Sequence, residues 1–227
     1  MAINKQTELA AAIDSIHSGD TVLLGGFNIC GCPTNLLYGL AARRDIRNLT
    51  LVSEDFGSSG LSFVQGPETL FENGQLKKIM VSFLGNHKSA EIAIQEGRLE
   101  AEFIPQGTLA ERLRAAGAGI GGFYTRTGVG TEVELGKETR MIQGEKYLLE
   151  LPLRGDVALV KAYMADRYGN AVFRYTASNL NICMAMAAKH VILEAEKIVE
   201  PGDLRPDAVG LPGVFVDQIV LTREVLF

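Results

Sequence analysis

The sequence predicts an α/β fold: a mostly parallel open sheet flanked by helices, carrying a small antiparallel β lobe. Two observations point there. Short apolar runs alternate with amphipathic helical stretches, the pattern of strand–helix–strand units. From Gly117 the texture turns glycine-rich, with short strands bounded by turns, and the alternation resumes near Val157. A chain of 227 residues could hold one large core or two small ones. No stretch has the composition of a disordered linker, so one domain over residues 1–227 is expected, with its β-rich lobe at about 117–150.

In chain order, Lys5–His17 places Leu9, Ile13 and Ile16 on one helical face, with Asn4 available as cap. Ser18-Gly19-Asp20 is a turn and Thr21–Leu24 a short buried strand. Gly25–Pro33 then leads into a helix over Asn35–Arg43, capped by Thr34. Leu49–Ser53 and Ile79–Phe83 are strands, and Ser89–Glu96 is a helix before a further strand at Glu102-Phe103-Ile104. Thr108–Ala116 is a helix opened by Pro105-Gln106-Gly107. Gly117–Gly130 holds too much glycine for a helix or a central strand. Strands are expected at Glu132–Leu135, Thr139–Ile142 and Tyr147–Glu150, the last two joined by a turn at Gln143-Gly144-Glu145. Val157–Ala162, Ala171–Arg174 and His190–Ala195 are strands, and Asn181–Ala188 is a helix.

Composition removes several classes. Apolar residues make up 47% of the chain and the net charge is only −5, which excludes disorder. The pI near 5.3 and the lack of a basic stripe argue against a nucleic-acid partner. No apolar run approaches the roughly 20 residues of a membrane span, and the start at Met1 lacks the pattern of a secretory signal. Three cysteines, Cys30, Cys32 and Cys183, cannot build a disulfide framework, so a reducing cytoplasm is the expected compartment.

Chemistry concentrates in Gly25–Pro33. Three glycines between a strand end and a helix start would let backbone N–H groups face an anionic ligand; a tight turn with no ligand explains the same pattern. Glu54 and Asp55 follow the next strand, as in a dinucleotide site, but glycines at 25, 26 and 31 have the wrong spacing for that fingerprint. Gln106, just before a helix start, could donate to a substrate carbonyl or stand solvated in a capped loop. Cys30 and Cys32 lack the partners of a metal site, and none is expected. His17, His87 and His190 stand isolated. There is no nucleophile elbow and no Walker loop.

Five motifs nonetheless resemble one family. They are Ser18–Pro33 with its Gly25-Gly26-Phe27, Gly31 and Pro33; Glu102–Arg114 with Pro105-Gln106-Gly107-Thr108; Gly119–Thr131; Gly155–Ala162; and Ala165–Asn170. In this order they resemble the α (A) subunit of family I coenzyme A transferases of the 3-oxoacid or acetate/acetoacetate type, and span nearly the whole chain. Departures are Ser18 before Gly19, Asn28 after Phe27, Gly121-Gly122-Phe123 in place of Pro-Ala-Phe, and Arg126 where proline is usual. The resemblance implies the fold of that subunit, acyl-CoA as substrate, no permanently bound cofactor, and a β-subunit partner in an α2β2 or larger assembly. It implies that Gly25, Gly26, Phe27, Asn28, Ile29, Cys30 and Gly31 approach CoA and that Gln106 helps bind the thioester carbonyl. The nucleophile would be a β-subunit glutamate in a Ser-Glu-Asn-Gly motif, forming a glutamyl-CoA intermediate. Glu72-Asn73-Gly74 repeats part of that motif but is expected to be a plain turn. The other readings are a ligand-binding protein of the same fold without transferase chemistry, and a sugar-phosphate isomerase-like enzyme.

Overall fold

The computed structural model describes residues 3–57 and 66–222. Its main sheet is built outward in two directions from β1 (Thr21–Leu24). On one side lie β2 (Leu49–Val52), β3 (Leu76–Val81) and β4 (Glu100–Phe103); on the other lie β8 (Gly155–Asp166), β10 (Ala188–Val199) and β11 (Gln218–Leu221). The order is β11-β10-β8-β1-β2-β3-β4, with every neighbouring pair parallel, and β9 (Ala171–Val172) adds antiparallel to β8. A second sheet of β5 (Phe123–Thr125), β7 (Glu145–Glu150) and β6 (Thr139–Ile142) is antiparallel. This is the α/β body and small β lobe the sequence predicts.

Period-two burial explains why such short strands hold. Val22 and Leu24, Leu49 and Leu51, and Ile79 and Val81 enter one core with α1 (Leu9–Ile13), α2 (Thr34–Ala42), α3 (Glu68–Glu72) and α4 (Lys88–Gln95). The alternate residues Leu23, Val52, Met80, Ala158 and Val160 enter a second core with α5 (Gln106–Gly117) and α6 (Asn181–Ala187). Each strand is therefore apolar on both faces, as a parallel sheet covered by helices requires. Truncating one of these side chains, such as Leu51, to alanine would cost roughly 2–5 kcal/mol.

Several local expectations change: Thr34, expected as a cap, is the first residue of α2, whose N-cap is Pro33. The first helix runs only over Leu9–Ile13, with Glu8 at its N-cap. Gln6 instead bridges to Ile219, and Lys5 donates its ammonium to the carbonyls of Gly213 and Val216, so edge pairing with β11 removes Lys5–Thr7 from the helix. Asn4 accepts from the Gln6 N–H rather than capping. Glu132–Glu134 is a 3₁₀ turn, not a strand, because the Thr131 hydroxyl accepts from the Val133 N–H and closes the backbone. β8 and β10 each run 12 residues, well past the expected six, because they pair with each other along most of that length. Phe123–Thr125, within the glycine-rich stretch, is a short edge strand, consistent with the expectation of no helix and no central strand there.

Candidate active site

Chain order reverses between β1 and β8, and the loop leaving β1 sits at that switch point. Ligands of open parallel sheets bind at such a crevice, outside the carboxyl ends of the strands. The loop is a small hairpin in which Phe27 and Cys30 exchange backbone hydrogen bonds of 3.0 Å each, with Asn28 and Ile29 at its tip. Asn28 is held at φ +53° and Gly26 at φ +113°. The Phe27 side chain is exposed.

Two of the loop's glycines are explained by internal packing. A Cβ on Gly25 would lie 1.9 Å from Asn181 Oδ1, and one on Gly31 would lie 2.7 Å from the Ala177 carbonyl oxygen. Asn181 is fully buried. It accepts from the Lys161 N–H at 2.9 Å and donates to the carbonyls of Gly31 and Ala177, while Asn179 donates to that of Cys30. The close approach that the glycines permit is thus first an approach of α6 to the loop.

Several of the N–H groups that could face an anion are already engaged within the chain. In the first turn of α2 the N–H groups of Asn35 and Leu36 donate at 2.9 and 3.1 Å to the carboxylate of Glu194, which is fully buried on β10. This carboxylate neutralises the positive end of the helix. The Asn28 N–H is likewise engaged, donating to Asp55 at 2.6 Å. Beside Asp55, Glu54 is buried, and burial, then a hydrogen bond to Asp55 and its charge, raise the Glu54 carboxyl to about 7.

A cavity of about 260 Å³ opens beside the loop, between Ile29–Cys32, β8 at Lys161–Tyr163, Arg174, Tyr175 and Glu196. Lys161 Nζ stands 3.7 Å from Glu194 and 4.0 Å from Glu196, and Arg174 lies 3.3 Å from Glu196. Arg174 also stacks over the rings of Tyr163 and Tyr175, at 4.3 and 5.2 Å. Lys161, Arg174 and Glu196 are the charged residues of the walls, with Glu194 buried behind Lys161. Burial pushes the Cys32 thiol up to about 12, so it is no nucleophile at neutral pH.

The structure does not bring Gln106 into this cavity. It is the first residue of α5, exposed, at the carboxyl end of the edge strand β4. Three strand spacings, roughly 14 Å, separate β4 from β1, so loop and amide share one end of the sheet without touching. Glu72 lies at the opposite end, exposed at the close of α3 ahead of β3, in the turn closed by Gly74 N–H donating to Phe71. Among the described residues no group of three His, Cys, Asp or Glu is placed to hold a metal ion. His87 contacts the Gly57 carbonyl and the Phe56 ring, and His190 pairs with Gln218 and Asp217, all away from the loop's own bonds. Sequence reasoning missed Glu194 and Asn181, which hold the loop's base, and set Asp55 aside on spacing.

Comparison with known proteins agrees with this geometry. A family model described as coenzyme A transferase matches residues 6–222. The chain is 48% identical over 214 residues to the A subunit of the succinyl-CoA:3-ketoacid coenzyme A transferase of Xanthomonas campestris, covering 93% of this chain and 86% of that one. It is 43% identical over 204 residues to the alpha subunit of the acetoacetyl-CoA:acetate/butyrate CoA transferase of Clostridium acetobutylicum, covering 89% and 90%. The crystal structure of an acyl-CoA transferase from E. coli O157:H7 superposes with a TM-score of 0.84 at 23% identity, over 97% of this chain but only 47% of that longer one. With the switch-point loop, the parallel sheet and the sequence match in agreement, the chain belongs to the coenzyme A transferase family.

Proposed function

We propose that this chain is the α subunit of a transferase that moves CoA between a short-chain acyl-CoA and a free carboxylate: acetate, acetoacetate or another 3-oxoacid. The observation that carries this is the match to relatives named as an A or alpha subunit of CoA transferases, at 48% and 43% identity over most of their length. Such a name implies a second, β-type subunit, and we assign the nucleophile to it. A partner glutamate attacks the thioester carbon and CoA leaves as thiolate, giving an acyl-glutamyl anhydride. The thiolate then attacks the glutamyl carbonyl, releasing the first carboxylate and leaving glutamyl-CoA; the second carboxylate reverses the sequence.

This chain's share is binding and orientation. The loop Gly25–Gly31 faces CoA through Phe27 and the Asn28–Ile29 tip. Gln106, at a helix N-terminus, donates to the thioester oxygen as it gains charge. A ligand that meets both lies extended along the carboxyl edge of the sheet. The carboxylates of Asp55 and Glu194 already hold the nearby N–H groups, so the loop favours an uncharged stretch of CoA over its phosphates. The three free cysteines fit work in a reducing cytoplasm.

The test is to assay acyl-CoAs against short carboxylates with the chain alone and with a β-type partner, then treat the working mixture with hydroxylamine. The expected result is turnover only in the mixture, with the trapped glutamyl adduct on the partner. Robust turnover by this chain alone overturns the reading.

A further inference from the structure

The base of the loop is fixed by Asn179, Asn181 and the Leu159 carbonyl, but its tip reaches beyond them. Among the described residues, what ties the Asn28–Ile29 tip to the rest of the sheet is one side chain, Asp55, across the crevice from β1. Its Oδ2 accepts from the Asn28 N–H at 2.6 Å, and its Oδ1 accepts from the Gly57 N–H at 2.7 Å. Asp55 itself is well fixed. The Ser53 hydroxyl donates to its carbonyl at 2.6 Å, it bridges to Phe83, and the following Phe56 N–H donates to the Phe83 carbonyl. A short charged acceptor on a rigid strand end therefore holds a backbone donor at φ +53°, a conformation that asparagine tolerates but does not favour.

We propose that Asp55 is a positioning residue for CoA transfer: its carboxylate fixes the Asn28–Ile29 tip, and with it the exposed Phe27 ring, in the shape that meets acyl-CoA. This rests on the reading of the loop as a CoA surface. Asp55 touches no substrate in this account; it acts through the backbone of Asn28. Carboxylate length and charge both matter: glutamate would overshoot by a methylene, while asparagine has one acceptor oxygen for two backbone donors and sets its NH2 against the other.

The experiment uses the chain assembled with its partner, acetoacetyl-CoA as probe, and amide hydrogen exchange at Asn28. Asp55→Ala is expected to speed Asn28 exchange and raise KM for acetoacetyl-CoA by about tenfold each, with a smaller change in kcat. Asp55→Asn is expected to shift both in the same direction by less, because its single acceptor oxygen can serve Asn28 only by giving up Gly57; exchange and KM moving together across the two variants is what a merely structural role would not produce. Should Asp55→Ala fail to assemble, Asp55→Glu is read in the same way. Unchanged exchange at Asn28 overturns the proposal. So does faster exchange with unchanged KM while Phe27→Ala raises KM, for then the loop meets acyl-CoA without help from Asp55. If neither Asp55→Ala nor Phe27→Ala moves KM, the loop reading fails and the proposal with it.

Discussion

Replacing Glu54 by glutamine should make the fold less sensitive to pH, and the size of the effect follows from where the side chain sits. Glu54 is buried at the carboxyl end of β2 against the Asp55 carboxylate, and its own carboxyl is raised from 4.5 to about 7. A carboxyl that keeps its proton longer in the folded state stabilises that state below pH 4.5. The contribution is lost progressively between 4.5 and about 7, with no further change above. The full shift would correspond to roughly 3 kcal/mol at 1.36 per unit; screening by water at the crevice brings this to about 1–2 kcal/mol. Glutamine mimics the protonated acid at every pH, so Glu54→Gln should match the parent near pH 4.5 and exceed it at pH 8. At 2–4 °C per kcal/mol the gap in Tm is about 2–8 °C. Calorimetry on the assembled protein, at one concentration and a series of pH values, measures it. A Tm difference between variant and parent that is the same at pH 5 and pH 8 refutes the reasoning.

Gly25→Ala should cost about 3 kcal/mol or more, because its Cβ would displace Asn181 and break the bond from the Lys161 N–H; adding Asn181→Ala should not lower Tm further by a comparable amount, and a Gly25→Ala protein that melts like the parent sinks this account. Gln106→Ala in the assembled enzyme should lower kcat by about 10²–10³ if the amide meets charge that develops in the transition state, whereas a raised KM at unchanged kcat would reduce its role to ground-state binding. Glu72→Ala should keep kcat within about threefold and stability within about 0.5 kcal/mol, as an exposed residue at the far end of the sheet; a hydroxylamine-trapped adduct on Glu72 would contradict that.

Local pattern made the centre of the sheet legible. Thr21–Leu24 is a strand to the residue because its neighbours bury both of its faces, and a run of apolar side chains records that. What the sequence hid is non-local. Lys5–Thr7 reads as helix until β11, more than 200 residues away, takes the edge pairing, and α3 and β11 themselves lack a period long enough to see. The loop was legible as a glycine turn, but the reason for Gly25 and Gly31 lies in Asn181 and Ala177, on the approach to another helix. Asp55 offered half a signal: Asp55-Phe56-Gly57 is the pattern of a side chain closing on the N–H two residues on. Its second bond, to Asn28, depends on β1 and β2 being neighbours.

That arrangement also changes what a glycine loop before a helix should be taken to mean. The usual inference runs from free N–H groups and a positive helix end to a bound phosphate. Here a buried glutamate from β10 has taken the N–H groups of Asn35 and Leu36, and an aspartate from the end of β2 has taken that of Asn28. Adding a phosphate beside the Asp55 carboxylate would set like charges together in a partly dry crevice. An uncharged ligand meets no such opposition, and the cations of the neighbouring cavity, Lys161 and Arg174, already pair with Glu194 and Glu196. In the proposed reaction, therefore, the phosphates of CoA must find their cations on the partner or in solvent, while this chain sets the position of the neutral arm and the reacting carbonyl. Affinity for acyl-CoA that falls steeply with salt should accordingly respond to charge changes on the partner and not to neutralising Lys161 or Arg174.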